Sequence, residues 1–555
     1  GVCVILWSSL FSVEMASQKS HTQPNSPDSP FAKAVLLKQA LPLTAGGLFT
    51  AMVSFATHGQ ALDQHWTTAW LLLTVGTVLL SFFDIIRLYK PLPWAIGLVI
   101  LLIQGVRGGH SQWESLAFWA WLWTWIWTFP NTQSKAWTAI KALPLFGAII
   151  GGLMMWLALK TMWNEGWSHG ASYQMTLPWA HRNIAVESIF LMCTLGGLLS
   201  RKRWLYWWAF ITILALVYQV RGVLLGSLFW MLYELWSHHS APRWVKRGFL
   251  TACAVFCLVQ VGWNLLPEET RSAHFSDLPD VVKSLDVVYN LHRAESSSIR
   301  IQLWSWTADS MEPLGGGLAS WRNDAEGWVN VATGRCQQAT RRAHSEFLQW
   351  TYELGWIPFL VLAGLCWPLR RSMGRWVWLA LPFLAFTFPT ERAEILWPMA
   401  VLGWWLKSQH LPKDRPNWSS ASPRMQTALT SAFVVISLLV GSWVVAQNAL
   451  GETMQQRGAL KVNWSSLQQN CLSLHPQDIA LNHADVMRAM AALNEGKMDE
   501  GKAIIKAHLE ENPNSLAAVR VMLKLNQQNY KGEEFCGFLE NWLISPDLSS
   551  LEANP

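Results

Sequence analysis

The chain has 555 residues, of which 14% are charged and 51% hydrophobic, with 38 tryptophans, a formal net charge of +6 and a mean hydropathy of +0.18. Charges this sparse cannot solvate the surface of a soluble protein of this size, so the composition excludes an ordinary soluble enzyme and points to a membrane protein. The mean hydropathy is modest because polar loops dilute the apolar spans.

In chain order, Gly1 to Val13 is apolar but too short to cross a bilayer, and Met15 opens a polar, Ser/Pro-rich stretch with the composition of a disordered leader. With no basic start and no cleavage site, residues 1–14 read as an upstream extension and not as a signal peptide. Apolar stretches near the ~20 residues needed to span a bilayer follow at 35–57, 66–83, 91–106, 113–129, 142–160, 183–200, 203–220, 222–236, 247–265, 346–367, 375–389, 394–407 and 427–446. Lys and Arg are retained on the cytoplasmic side of such spans. With the N-terminus inside, the inner loops carry Arg87 and Lys90, Lys135 and Lys141, Arg201 to Arg203, Arg243 with Lys246 and Arg247, Arg370 with Arg371 and Arg375, and Lys407 through Arg424. The short outer loops carry few.

The expected fold class is an all-α polytopic membrane protein with about 12–13 transmembrane helices. A leader over 1–34 precedes helices 1–9 (35–265), an extracytoplasmic loop (266–345), helices 10–13 (346–446) and an extracytoplasmic helical tail (447–555). In the tail, Asn482 to Pro513 reads as two short amphipathic helices broken at Asn494-Glu495-Gly496, and a second helical unit runs from Ser515 to about Leu543. The spacing is that of a degenerate tetratricopeptide (TPR-like) pair, or of a plain helical hairpin capping the outer face. Either way the tail is a docking or covering element without a catalytic set of its own.

Cys193, Cys253, Cys257 and Cys366 lie in spans and behave as small hydrophobes. Cys336, Cys471 and Cys536 fall outside the cytoplasm, where a disulfide is permitted and unpaired thiols are equally compatible with the sequence. No CxxC or His/Cys cluster at metal spacing occurs. The run Trp119-Ala120-Trp121-Leu122-Trp123-Thr124-Trp125-Ile126-Trp127 reads as lipid-facing and interfacial belt residues. That leaves Trp321 and Trp328, in the outer loop, as the tryptophans to consider for glycan contact.

Three ionisable residues stand out at the outer surface. Arg221 occupies the tight turn Tyr218-Gln219-Val220-Arg221-Gly222-Val223, where a lone arginine also has the simpler role of snorkelling to the interface. Arg300 precedes an amphipathic segment, Ile301 to Met311, and the flexible turn Pro313-Leu314-Gly315-Gly316-Gly317. His344 lies in Arg341-Arg342-Ala343-His344-Ser345-Glu346-Phe347-Leu348-Gln349-Trp350, where the charged loop enters an apolar segment. Singly, each has an ordinary structural explanation. Together, on one side by an argument that did not use them, they supply two permanent cations and one base that titrates near neutral pH. Such a set suits a polyprenyl diphosphate sugar donor, because guanidinium forks hold a diphosphate and stabilise the charge that builds on it as the sugar leaves. Chemistry of that kind calls for no metal and no cofactor.

Gln219-Val220-Arg221-Gly222, then Arg300 with Trp304 and the Pro313 to Gly317 turn, then Ala343 to Gln349 with Glu353-Leu354-Gly355, resemble the three ordered signatures of the O-antigen ligase family. That superfamily also contains Wzy-type O-antigen polymerases and bacterial protein O-oligosaccharyltransferases. The resemblance covers roughly residues 180 to 405, and the His-x-x-[Phe/Tyr]-Leu-Gln run is its most specific part. It implies an inverting, metal-independent glycan transfer on the periplasmic face of the bacterial inner membrane. Arg221 and Arg300 would bind the diphosphate, and His344 would activate the acceptor hydroxyl; Arg341, Arg342 and Arg182 are further candidate phosphate or glycan contacts, or simply solvated charges. Ser345 stands where many relatives have Asn. The implied partners are a polyprenyl diphosphate-linked glycan and a glycolipid, glycan or protein acceptor, with a protein partner at the tail and no nucleic acid.

Two other classes compete. A transporter would carry ionisable residues in mid-span, whereas Lys38, Asp84, Glu187 and Glu234 lie near helix ends and no Gly/Pro-broken pair of helices recurs in matching halves. A structural polysaccharide-export partner would need no base at position 344.

Overall fold

The structure is a computed structural model that describes residues 62–108, 112–131, 142–165, 182–200, 203–218, 220–237, 247–248, 251, 295–325, 343–386, 392–409, 423–455, 484–494, 496–513, 515–526, 533–544 and 546. The leader, the expected span at 35–57 and nearly all of that at 247–265 lie outside the described residues. Helices account for 86% of those described.

In chain order the elements are α1 (Leu62–Phe82), β1 (Ile86–Leu88), α2 (Pro91–Arg107), α3 (Gln112–Ile126), β2 (Thr128–Pro130), α4 (Ala142–Glu165), α5 (Arg182–Leu199), α6 (Trp204–Val217), α7 (Arg221–Ser237), α8 (Glu295–Asp309) and α9 (Ser320–Asp324). There follow α10 (Glu346–Leu354), α11 (Trp356–Leu365), α12 (Arg370–Phe386), α13 (Ala393–Ser408), α14 (Pro423–Gln455), α15 (Ala484–Asn494), α16 (Met498–Glu511), α17 (Leu516–Leu525) and α18 (Glu533–Ile544). Among the described residues, three segments are long and apolar enough to cross a membrane: Ala142–Thr161, Arg182–Leu199 and Pro423–Gln447. Shorter apolar helices run over Thr68–Phe82, Pro91–Arg107, Trp204–Val217, Gly222–Leu235 and Trp356–Leu365.

Two expected spans are cut short. The stretch 346–367 is divided between α10 and α11 at Gly355, whose φ of +82° is open to glycine and strained for other residues. The stretch 113–129 ends as helix at Ile126, and Thr128–Pro130 pairs instead with Ile86–Leu88 in a two-stranded ladder.

Contacts divide the chain into two compact units. The first holds α4 to α7 and residues 397–405 of α13. Its helices approach closely through glycine. A Cβ on Gly147 of α4 would lie 2.8 Å from the Met192 Cβ of α5, and one on Gly196 of α5 would lie 2.8 Å from the Trp207 ring of α6. Small residues at crossings are how apolar helices gain packing where no hydrophobic force separates protein from lipid. Polar ties add direction: Tyr218 Oη donates to the Met154 carbonyl at 3.1 Å, and Trp208 Nε1 to the Ser227 carbonyl at 2.9 Å.

The second unit holds α1 to α3, α8 to α12 and α14 to α18. Here the tryptophans of α3 are not a lipid belt. Trp121 and Trp125 are fully buried, as is Trp127 just beyond the helix, and Trp123 nearly so. Two of these indoles have acceptors for the N–H: Trp121 Nε1 donates to Thr77 Oγ1 at 3.2 Å and Trp123 Nε1 to the Trp94 carbonyl at 2.9 Å. Trp70 stacks on Phe118 with ring centroids 4.2 Å apart. Lys407 closes the C-terminal end of α3, donating to the carbonyls of Trp125 (3.0 Å), Ile126 (2.9 Å) and Thr128 (3.1 Å) with its ammonium 4.4 Å from the Trp125 ring. A cation there meets both orphan carbonyls and the negative end of the helix dipole. In the tail, α15 to α18 share one apolar core that includes Val486, Ala489, Ile505, Leu509, Met522 and Trp542.

Candidate functional site

The His344 region is built from α8, the turn after it and the start of α10. Arg300 and Trp304 are one helical turn apart and so share a face of α8. Trp304 Nε1 donates to the carbonyl of Ala343 at 2.8 Å, tying that face to the residue before the histidine. Leu303, Trp321 and Ala325 pack with Ala343 into a small core under the turn. His344 itself takes φ +55°, a left-handed conformation that costs a non-glycine residue about 1–2 kcal/mol and persists where neighbours over-determine it. It is half-buried. Ser345 then returns to extended geometry as the N-cap of α10, and Glu346 places an acid in the first turn, where the helix dipole favours it.

The Pro313 to Gly317 turn is wedged between the end of α2 and the end of α10. From the α2 side, Gln104 Nε2 and Arg107 Nη1 donate to the Leu314 carbonyl at 3.1 and 2.7 Å, and Arg107 Nη2 to the Gly315 carbonyl at 3.0 Å. The Leu318 N–H returns a bond to the Gln104 carbonyl at 3.0 Å. From the α10 side, the N–H groups of Gly316 and Gly317 donate to the carbonyls of Tyr352 (3.4 Å) and Glu353 (2.9 Å), which would otherwise be unsatisfied at the helix end. Glycine is required here by contact as well as by conformation. At Gly317 φ is +96°, and a Cβ would lie 2.6 Å from Gly108 Cα and 2.7 Å from the Arg107 carbonyl carbon.

Ion pairing reinforces the same joint. Arg322, 7% exposed, pairs with Glu114 at the start of α3, 5% exposed. Tyr352 Oη donates to Asp324 Oδ2 at 2.6 Å. Burial lifts the pKa of the Asp324 carboxyl above its ordinary value, Tyr352 opposes that shift, and the charge of Glu312 adds to it.

Arg300 and His344 thus belong to one unit and are linked through Trp304 and Ala343. Arg221 opens α7 in the other unit, where Arg182 Nη1 donates to the carbonyl of Tyr218 at 3.2 Å. Arg182 is therefore tied to the turn that precedes Arg221. Arg341, Arg342, Trp328 and Cys336 lie outside the described residues. Trp321 is not a glycan contact: it is fully buried, with Nε1 donating to Thr307 Oγ1 at 2.9 Å.

No family model, curated protein or solved structure matches the chain. The likeness to the O-antigen ligase signatures therefore rests on the quoted residues. Among the described residues there is no group of three or more His, Cys, Asp or Glu side chains placed to hold a metal ion.

Sequence reasoning passed over Gln104, Arg107, Glu114 and Arg322, whose partners are distant in the chain and leave no local pattern. It quoted Glu346, Gln349 and Glu353 within the family signatures without giving them a role, although their spacing puts all three on one face of a helix. All three are buried, and two of them are bonded in series: the Ala343 N–H donates to Gln349 Oε1 at 3.4 Å, and Gln349 Nε2 donates to Glu353 Oε1 at 3.1 Å.

Proposed function

We propose that the chain is a membrane glycan transferase of the O-antigen ligase kind, moving a saccharide from a polyprenyl diphosphate to an acceptor hydroxyl. The observation that carries this reading is the linkage of the Arg300 helix, the glycine turn and the His344 turn in one braced assembly. A base and a cation held on separate but rigidly joined elements meet the geometric demand of general-base catalysis on an anionic donor. His344 takes the proton of the acceptor hydroxyl, the acceptor oxygen forms a bond to the anomeric carbon from the face opposite the diphosphate, and the bond to the diphosphate oxygen breaks with inversion. Arg300 receives the charge left on the diphosphate; the resemblance gives Arg221 the same role, and makes Arg182, Arg341 and Arg342 candidates for further phosphate or glycan contacts.

Under this reading the chain crosses the bacterial inner membrane about thirteen times, with the loop 266–345 and the TPR-like tail on the periplasmic side. Support comes from the bonds between Gln104, Arg107 and Glu114 and residues 314–322. Counting spans from the N-terminus gives the α2–α3 connection and the 266–345 loop the same side of the membrane, as those bonds require.

The deciding experiment measures transfer from undecaprenyl diphosphate-linked oligosaccharide in reconstituted vesicles. His344→Ala should lower the rate ~10²- to 10⁴-fold, the usual loss with a general base, while donor binding persists. A variant that transfers at near wild-type rate refutes the assignment. Surface glycolipid, free polymer and glycoprotein from a deletion strain then identify the acceptor, since loss from a single pool names it.

A further inference from the structure

One side of α11 is an exposed apolar stripe. Trp356, Ile357, Leu360 and Val361 are between 40% and 60% exposed, and Trp367, just past the Cys366 cap, is 65% exposed. Spacings of three, four and seven residues put them on the same side of the helix. From Trp356 to Trp367 the stripe is about 16 Å long at 1.5 Å per residue, close to half of the ~30 Å hydrocarbon core of a bilayer. It therefore has the length of one leaflet.

Cations stand at the end of this stripe. The Arg370 guanidinium lies 4.8 Å from the centre of the Trp367 ring, and its Nη1 donates to the Trp367 carbonyl at 3.2 Å. Arg370, Arg371 and Arg375 are all exposed in the first turns of α12. Helix positions i, i+1, i+4 and i+5 are surface neighbours, so the three arginines surround Gly374. A Cβ on Gly374 would meet nothing within 4 Å, which leaves a gap among the guanidinium stems. No Asp or Glu occurs between Gly355 and Thr390, and among the described residues no carboxylate pairs with any of the three. Like charges one turn apart repel, and the start of a helix is the positive end of its dipole. The corner is thus electrostatically unfavourable until an anion joins it.

The neighbouring stripe restricts which anion fits. A soluble phosphate would use the arginines and leave the side of α11 bare, whereas an anionic lipid uses both. A zwitterionic headgroup brings its own cation, which the arginines repel. We propose that the corner between α11 and α12 binds one anionic phospholipid, its phosphate held by Arg370, Arg371 and Arg375 over Gly374 and one acyl chain laid along the α11 stripe. Guanidinium forks match phosphate oxygens, and Trp367 sits at the level where indoles meet headgroups. Basic residues beside a span attract anionic lipid diffusely; the gap at Gly374 and the stripe of one-leaflet length make this a site for a single molecule. It lies at the end of α11 away from the Gly355 joint, and so apart from the His344 turn. The lipid site stands whether or not the chain transfers glycan.

The test follows amide hydrogen exchange of the full chain in phosphatidylcholine nanodiscs with and without phosphatidylglycerol, and counts retained lipid by native mass spectrometry. Phosphatidylglycerol should slow exchange in the first turn of α12 ~10-fold or more and should be retained in preference to phosphatidylcholine. At about fivefold per basic residue beside anionic lipid, the double variant Arg371→Gln with Arg375→Gln should bind phosphatidylglycerol about 30-fold more weakly and lose the slowing. Trp367→Ala should weaken retention as well. Replacing both arginines by Lys keeps the charge and should keep most of the preference, which separates lost charge from lost fold. The proposal is overturned if phosphatidylglycerol leaves exchange in α12 unchanged, or if the double Gln variant keeps the wild-type preference. Equal slowing by inorganic phosphate in phosphatidylcholine discs also overturns it, since the corner would then be a site for free phosphate.

Discussion

Gly317→Ala tests the joint on which the site depends. At φ +96° an added Cβ costs about 1–2 kcal/mol in backbone strain. It would also lie 2.6 Å from Gly108 Cα and 2.7 Å from the Arg107 carbonyl carbon, against about 3.5 Å for two carbons in contact, so one main chain must move by almost 1 Å. That movement stretches the bonds from the Gly317 N–H to Glu353 and from the Leu318 N–H to Gln104, now 2.9 and 3.0 Å. Losing one bond between buried backbone groups costs about 1–3 kcal/mol. The sum, about 2–5 kcal/mol, corresponds to a ~30- to 4,000-fold rise in local opening at about 1.4 kcal/mol per tenfold. Amide hydrogen exchange of Gly317 and Leu318 in the full chain reads that opening directly. Gly364→Ala is the control: the site lies in α11 with nothing within 4 Å of the new Cβ, and alanine improves helix propensity there. Exchange at Leu318 within threefold of wild type in Gly317→Ala would refute the wedge as a structural requirement.

If both guanidinium groups grip a diphosphate through paired bonds, Arg300→Lys and Arg221→Lys keep the charge but lose the fork, so both should show strongly weakened donor binding, without rescue by added Mg²⁺; near-normal turnover in the two variants would sink the clamp. Arg322→Met leaves the buried Glu114 carboxylate without this partner and should cost ~3–5 kcal/mol in thermal unfolding, most of it recovered in the double variant with Glu114→Met. In the tail, burial lowers the pKa of His508 below its ordinary value, against the opposing pull of Asp485, 4.0 Å away, and of Glu511. The unfolded tail therefore binds a proton more readily than the folded one, so tail stability falls as pH drops below about 6.5 and levels off once the folded-state pKa is passed. Exchange protection factors for α15 to α18 should fall between pH 7.5 and 5.5 in the wild type and change less in His508→Gln.

Helix existence was legible in the sequence wherever the signal is local. The apolar runs at 142–160, 183–200, 222–236 and 427–446 reappear as α4, α5, α7 and α14 within a few residues, apart from the longer C-terminal end of α14, because a continuous apolar run bounded by charges needs no distant partner to declare itself. The break in the tail at Asn494 to Gly496 was legible for the same reason, with Gly496 at φ +79°. Tertiary structure alone decided that 346–367 is two helices, since Gly355 breaks the run where it meets the backbone of Leu314 and Gly315, an approach that no periodicity records. It also decided the fate of the α3 tryptophans. Composition cannot tell an indole facing lipid from one packed on a neighbouring helix, and only the presence of Thr77, Trp94 and Lys407 beside them makes α3 interior. The candidate site divides along the same line: Arg300 and His344 were visible as charges near an apolar boundary, whereas the bonds that join their elements run between residues far apart in the chain and exist only once the backbone is folded.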